Sequence, residues 1–212
     1  MNAPTPINLF HFTHIDNLAN VIQAGLLCDL AAEGSGALQV DVGHQGIKAA
    51  RRNCVVTIPP GGVVANYVPF YFAPRSPMMN SIYHGNVETY RGGCDELIYL
   101  CTTLERIDRL GLPWVVTSRN ARLQPGDSTS SWSDLHDHVD WDLMKQRMWN
   151  NVPEYHDRKE RRMAKALVLD RVPWEAIQAI GCRSESMVSR VRGQLGESGA
   201  VQVAARPGWY FP

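Results

Sequence analysis

Phe10-His11-Phe12-Thr13-His14 sets two imidazoles and a hydroxyl within five residues, just ahead of Asp16 and Asn17. Such groups suit ribose hydroxyls or a carboxamide, and the N–H groups of a helix start suit a pyrophosphate. Thr13 and His14 would serve equally well as a plain helix cap. Arg51-Arg52 offers guanidinium forks of the kind that grip phosphate, although a solvated helix face carries the same pair. In Val68-Pro69-Phe70-Tyr71-Phe72-Ala73-Pro74 an aromatic run enters a proline-fixed turn. A flat ring could stack there, with Phe70 and Phe72 in the core and Tyr71 on the other face. Arg158-Lys159-Glu160-Arg161-Arg162-Met163-Ala164-Lys165 is the one dense basic run. It could meet a phosphate backbone, with Trp141, Trp149 and Tyr155 stacking bases, or be a solvated charged helix. His136-Asp137-His138 with Asp134 and Asp140 falls short of a full ligand set, so no metal is expected. Neither GxGxxG, a Walker A loop nor GxSxG occurs.

The elements that must hold these groups follow from pattern. Ile7 to Phe12 alternates as a strand, and Thr13 to Asp16 opens a helix stopped by Gly25. Ala31 to Gly46 reads as loop, and Gln45 to Asn53 as a short helix. Tyr67 to Phe72 is a strand in which Pro69 argues for an edge or a bulge. Ala73 to Met79 is a turn; strands follow at Glu96–Cys101, Trp114–Thr117, Ala166–Leu169 and Val201–Ala205. Helices are expected from Thr103 to Leu110 and from Ser184 to Leu195, and a helix start at Pro173–Gln178. Leu135 to Arg161 should be partly helical within a long mobile loop. Strands and helices mix without regular alternation, which predicts an α+β fold with largely antiparallel sheet in one domain, 1–212.

Composition narrows the partners. Lys plus Arg and Asp plus Glu are 21 each, so a nucleic acid would have to be read by a local patch. Five cysteines, an odd count without CxxC, point to reduced thiols in a cytoplasm. The first residues lack a signal-peptide pattern, and no apolar run is long enough to span a membrane.

In order, the blocks HFTHIDNL, AARRN, PPGGV, YVPFYFAPRSPM, YHG, GLPWVVTSR, RRMAKALV, VPW and WYF resemble the DarT family over nearly the whole chain. The resemblance implies an ADP-ribosyltransferase-like split antiparallel β core with surrounding helices. It implies cleavage of the nicotinamide–ribose bond of NAD⁺ and transfer of ADP-ribose onto thymine or guanine of single-stranded DNA. It further implies a bacterial toxin paired with a macrodomain antitoxin, taken here as a monomer. By resemblance, His11, Thr13, Asn17, Arg51, Arg52 and Tyr71 bind NAD⁺, with Arg52 acting at the reacting centre. A substrate-recognition loop spans about 126–162, with Tyr155, Arg158, Arg161 and Arg162 meeting DNA. A catalytically silent NAD- and nucleic-acid-binding module, or an RNA- or protein-directed transferase, stands as the alternative.

One position departs. The family reads K/R-x-A-E-x-L-V, with glutamate at the reacting centre, where this chain has Met163-Ala164-Lys165-Ala166-Leu167-Val168. An ammonium cannot accept the ribose hydroxyl protons, and it repels an oxocarbenium ion. The expectation is an inactivated variant, natural or introduced, with Lys165 in the catalytic place.

Overall fold

A computed structural model describes residues 3–119, 128–196 and 201–212. Its centre is an eight-stranded sheet in the order β10-β9-β4-β1-β3-β7-β5-β6. The strands are β1 (Asn8–His14), β3 (Tyr67–Tyr71), β4 (Leu97–Thr103), β5 (Trp114–Thr117), β6 (Ser128–Thr129), β7 (Lys165–Leu169), β9 (Ala179–Cys182) and β10 (Gln202–Ala205). All neighbours are antiparallel except β9 and β10. A small second sheet pairs β2 (Leu26–Leu27) with β8 (Arg171–Val172). Helices α1 (Leu18–Ala24), α2 (Asp29–Ser35) and α3 (Gln45–Arg52) follow β1, and α4 (Pro77–Tyr83) and α5 (Leu104–Arg109) flank β4. Three short helices, α6 (Leu135–His138), α7 (Trp141–Lys145) and α8 (Arg158–Arg161), lie between β6 and β7; α9 is Glu185–Leu195.

The sheet is split in the middle. β1 and β4 match at seven positions and β3 and β7 at five, but β1 and β3 meet only at Phe10 and Tyr71. Pro69 belongs to this opening rather than to an edge or a bulge. Its carbonyl accepts from the His11 ring on the β1 side, and the N and C=O of one strand residue share an edge. The N–H that proline lacks would therefore point into the split, where no ladder partner waits.

Besides a smaller cluster around Tyr67, Val115 and Leu167, two cores cover the sheet. One gathers Leu9, Phe70, Leu100, Val116 and Val168 with the buried faces of α1 and α9. On α9, capped by Ser184, the residues Met187, Val188, Val191 and Leu195 keep one helical face inward. Each such buried side chain contributes about 1.5–3 kcal/mol. The other core joins Phe10, Tyr99 and Ile82 to the C-terminal Tyr210 and Phe211. The Tyr210 hydroxyl lies 3.0 Å from the Leu97 carbonyl and 2.9 Å from that of Gly181, closing the chain end over β4 and β9. A Cβ on Gly181 would sit 2.3 Å from the Trp209 ring, so that close approach needs glycine.

Several elements differ from expectation. β1 runs through Thr13 to His14, and His14 rather than Thr13 is the N-cap, its Nδ1 accepting from Asp16 N at 3.2 Å. The expected loop after Ala31 contains most of α2, and the expected turn after Ala73 opens α4, with Ser76 as its cap and Pro77 in its first turn. After Pro173 the helix start stops as one 3-10 turn, Trp174–Ala176, and gives way to β9.

Candidate active site

A cavity of about 360 Å³ opens at the split between β1 and β3. His11 and Thr13 from β1, Tyr71 from β3, Lys165 from β7, Asp29 from α2 and Arg51 from α3 all line it. His11 is half-buried, and its Nδ1 is 2.9 Å from the Pro69 carbonyl. A carbonyl only accepts, so Nδ1 carries the proton and Nε2 is left as the acceptor of a neutral ring. Burial lowers the His11 pKa, and the bond to Pro69 only partly opposes this.

Asn17 shapes the cavity from behind. Its Nδ2 donates to Thr13 Oγ1 at 3.0 Å and to the Val40 carbonyl at 2.8 Å. Its Oδ1 accepts from the backbone of Gln39 and Val40, both at 2.9 Å. Both amide hydrogens and both lone pairs are engaged, so this expected ligand residue holds the 37–44 segment over the cavity instead of offering it a free group.

The arginine pair divides. Arg51 lines the cavity, with Nη1 2.8 Å from Asp29 and Nη2 donating to the Tyr67 carbonyl at 3.0 Å. Arg52, expected at the reacting centre, lies outside the cavity lining and pairs with Glu33 at the surface. Adjacent helical residues point about 100° apart, so only one of the two can face inward. Lys48, three residues before Arg51 on the same face, also lines the cavity and pairs with Asp41 at 2.7 Å.

Lys165 begins β7, opposite Tyr71 on one side and Thr117 on the other. Its Nζ lies 4.9 Å from the centroid of the Tyr71 ring. Burial, then the charge of Arg51, pushes the amine down to about 7, while Asp29 opposes the shift. Burial pushes Tyr71 up to about 12, so its hydroxyl keeps its proton.

The expected DNA-binding residues separate by burial. Arg162 is buried and donates to the carbonyls of Leu143, Met144 and Pro74 at 2.7–2.8 Å, so it is no phosphate ligand. Arg161 pairs with Asp140 at 2.6 Å and Asp157 at 3.0 Å, and Arg158 donates to Gln146 and the Met148 carbonyl. Tyr155 is exposed, as are Met148 and Val152 near it. Trp141 and Trp149 are buried, and Trp149 Nε1 donates to the Arg75 carbonyl at 2.9 Å. The segment is therefore pinned by buried side chains where a long mobile loop was expected; its residues 126 and 127 lie outside the described residues. Sequence reasoning missed Asp29 and Asp41, which carry no local signal, and Lys159, which lies in the basic run and lines the cavity. Among the described residues no cluster suited to a metal ion is found. No helix of the described residues is long and apolar enough to cross a membrane.

A split antiparallel sheet with this cavity at its centre defines an ADP-ribosyltransferase-type domain. The sequence model of the family described as "ssDNA thymidine ADP-ribosyltransferase, DarT" matches residues 10–211. A DNA ADP-ribosyl transferase of Thermus sp. (strain 2.9) is 34% identical over 211 residues, 98% of each chain. The solved structure of Thermus sp. 2.9 DarT in complex with ADP-ribosylated ssDNA is 32% identical, with a TM-score of 0.90 over 100% of this chain and 99% of that one. The same protein in complex with NAD⁺ gives a TM-score of 0.86 at 32% identity, over 99% and 100% of the two chains. The chain belongs to the DarT family.

Proposed function

We propose that the cavity binds NAD⁺ and that the 128–162 segment presents single-stranded DNA to it, with thymidine as the acceptor of ADP-ribose. The observation that carries this reading is that His11, Thr13, Arg51, Tyr71 and Lys165, far apart in sequence, share one cavity in the size range of small-ligand sites. The family's description names thymidine, and the Thermus relative binds NAD⁺ and ADP-ribosylated ssDNA.

In this reading the nicotinamide end lies toward His11 and Thr13 and the pyrophosphate toward Arg51. His11 Nε2 accepts from a carboxamide or a ribose hydroxyl. Departure of nicotinamide leaves positive charge at the anomeric carbon, and a fixed negative group there is worth roughly 10²–10³ in rate. Lys165 stands at the position of the family's glutamate and supplies the opposite sign. Binding of the donor persists and transfer is lost. The burial of Lys165 inside the cavity also favours a second reading, a catalytically silent NAD- and nucleic-acid-binding module.

The experiment is single-turnover modification of a mixed-sequence DNA oligonucleotide with NAD⁺, followed by mass spectrometry of the nucleosides. Lys165→Glu should form a thymidine adduct at least about 10²-fold faster than the lysine protein. Equal rates would mean that the catalytic position is elsewhere. No adduct from either protein, with NAD⁺ binding established, would favour the silent module.

A toxin role, a macrodomain antitoxin as partner and a monomeric state rest on the family resemblance alone. A cytoplasmic location fits five buried cysteines that form no disulfide.

A further inference from the structure

The cavity's charges are unevenly matched. Its two carboxylates among the described lining residues are both engaged, Asp29 by Arg51 at 2.8 Å and Asp41 by Lys48 at 2.7 Å. His11 is held neutral, Tyr71 keeps its proton, and His44 sits at the rim as the cap of α3. Two more amines line the space: Lys159 from α8 and Lys165 from β7. The buried end therefore holds an amine that Asp29, already paired with Arg51, offsets only in part. Its position matters as well as its sign. The Lys165 ammonium lies over the face of Tyr71, the aromatic surface against which a cationic ring would otherwise stack.

We infer that Lys165 sets the ligand preference of this cavity, which favours compounds carrying the ADP-ribose part without a positive charge at the nicotinamide end, NADH and ADP-ribose, over NAD⁺. This rests on the dinucleotide reading above. NAD⁺ and NADH share the pyrophosphate, both riboses and the carboxamide, and they differ at this end chiefly by one charge on the ring. Arg51 and the surplus positive charge welcome the pyrophosphate of either. The pyridinium must either lie near the ammonium in a poorly screened site or wait for Lys165 to lose its proton. The second route sets the size of the effect. With the amine pushed down to about 7, the cost of removing its proton lowers NAD⁺ affinity about tenfold at pH 6 and hardly at all at pH 8. The preference is therefore about twofold at pH 7 and grows as the pH falls.

The test is isothermal titration of NAD⁺, NADH and ADP-ribose at pH 6 into the protein, Lys165→Met and Lys165→Glu. Methionine keeps most of the length of the side chain without its charge, and ADP-ribose binding reports that each variant is folded. In the lysine protein NADH should bind about tenfold more tightly than NAD⁺. The NADH preference should vanish in Lys165→Met and reverse in Lys165→Glu. Equal affinity for NAD⁺ and NADH in the lysine protein, with ADP-ribose bound, overturns the inference and leaves the dinucleotide reading standing. So does a preference that persists unchanged in Lys165→Met. Binding of none of the three ligands to the lysine protein overturns both.

Discussion

Lys165 and Tyr71 face each other across the β3–β7 ladder, and the lysine ammonium lies 4.9 Å from the centre of the tyrosine ring. An antiparallel pair places both side chains on one side of the sheet. The strand that begins with Lys165 thus delivers it into the cavity, where burial and charge meet.

Lys165 should make stability depend on pH. Its folded value of about 7 lies below the ordinary 10.5, so between the two the unfolded chain binds the extra proton. Stability then rises with pH across that window: the cost is full below about pH 7 and gone above about 10.5. Lys165→Met should stabilise the fold by about 2–4 kcal/mol at pH 7 and by under about 1 kcal/mol at pH 10. Urea denaturation at the two pH values measures this, and a gap independent of pH would contradict it.

Arg51 and Arg52 should behave differently despite their adjacency. Arg51→Ala removes the partner of Asp29 inside the cavity, and dinucleotide affinity should fall at least about tenfold. Arg52→Ala, at the surface beside Glu33, should leave affinity within about twofold. Titration with ADP-ribose is the measurement, and equal losses would return Arg52 to the site.

Asn17→Ala removes four hydrogen bonds and frees the 37–44 segment. The fold should lose about 2–3 kcal/mol, and hydrogen exchange at Gln39 and Val40 should accelerate. Unchanged exchange there would mean that the segment is held by other contacts.

Within the basic run, burial should decide the outcome. Arg162→Ala removes a buried donor from three carbonyls, of which that of Leu143 keeps the Gln146 N–H, and should cost about 2–4 kcal/mol of stability. A Tyr155→Ala, Lys159→Ala double variant should keep its melting temperature and bind single-stranded DNA about tenfold more weakly, with a shallower salt dependence. Both effects are read by thermal melts and by fluorescence anisotropy at several salt concentrations.

The α+β class, α3, α5, α9 and most strands of the large sheet were legible because each rests on local chemistry. Ser184 caps α9, Thr103 caps α5, apolar alternation marks β1, and a short apolar run marks β4. The order of short blocks further implied the family and put His11, Thr13, Tyr71 and Lys165 forward as site residues. Other features were not legible. Neither adjacent arginine carries a mark of its helix phase, and the turn that brings Arg51 inward is set by how α3 docks near Val64–Asn66. In a run of five basic residues nothing distinguishes Arg162, which is buried because three carbonyls of distant segments converge on it. Pro69 reads as an edge residue until the split beside it is known. The sequence alone thus determined which chemistry is present and along which strands and helices it lies, since dihedral preference and side-chain period are local. Only the tertiary structure decided which charges are desolvated and which meet, since pairing register and burial depend on segments far apart in the chain.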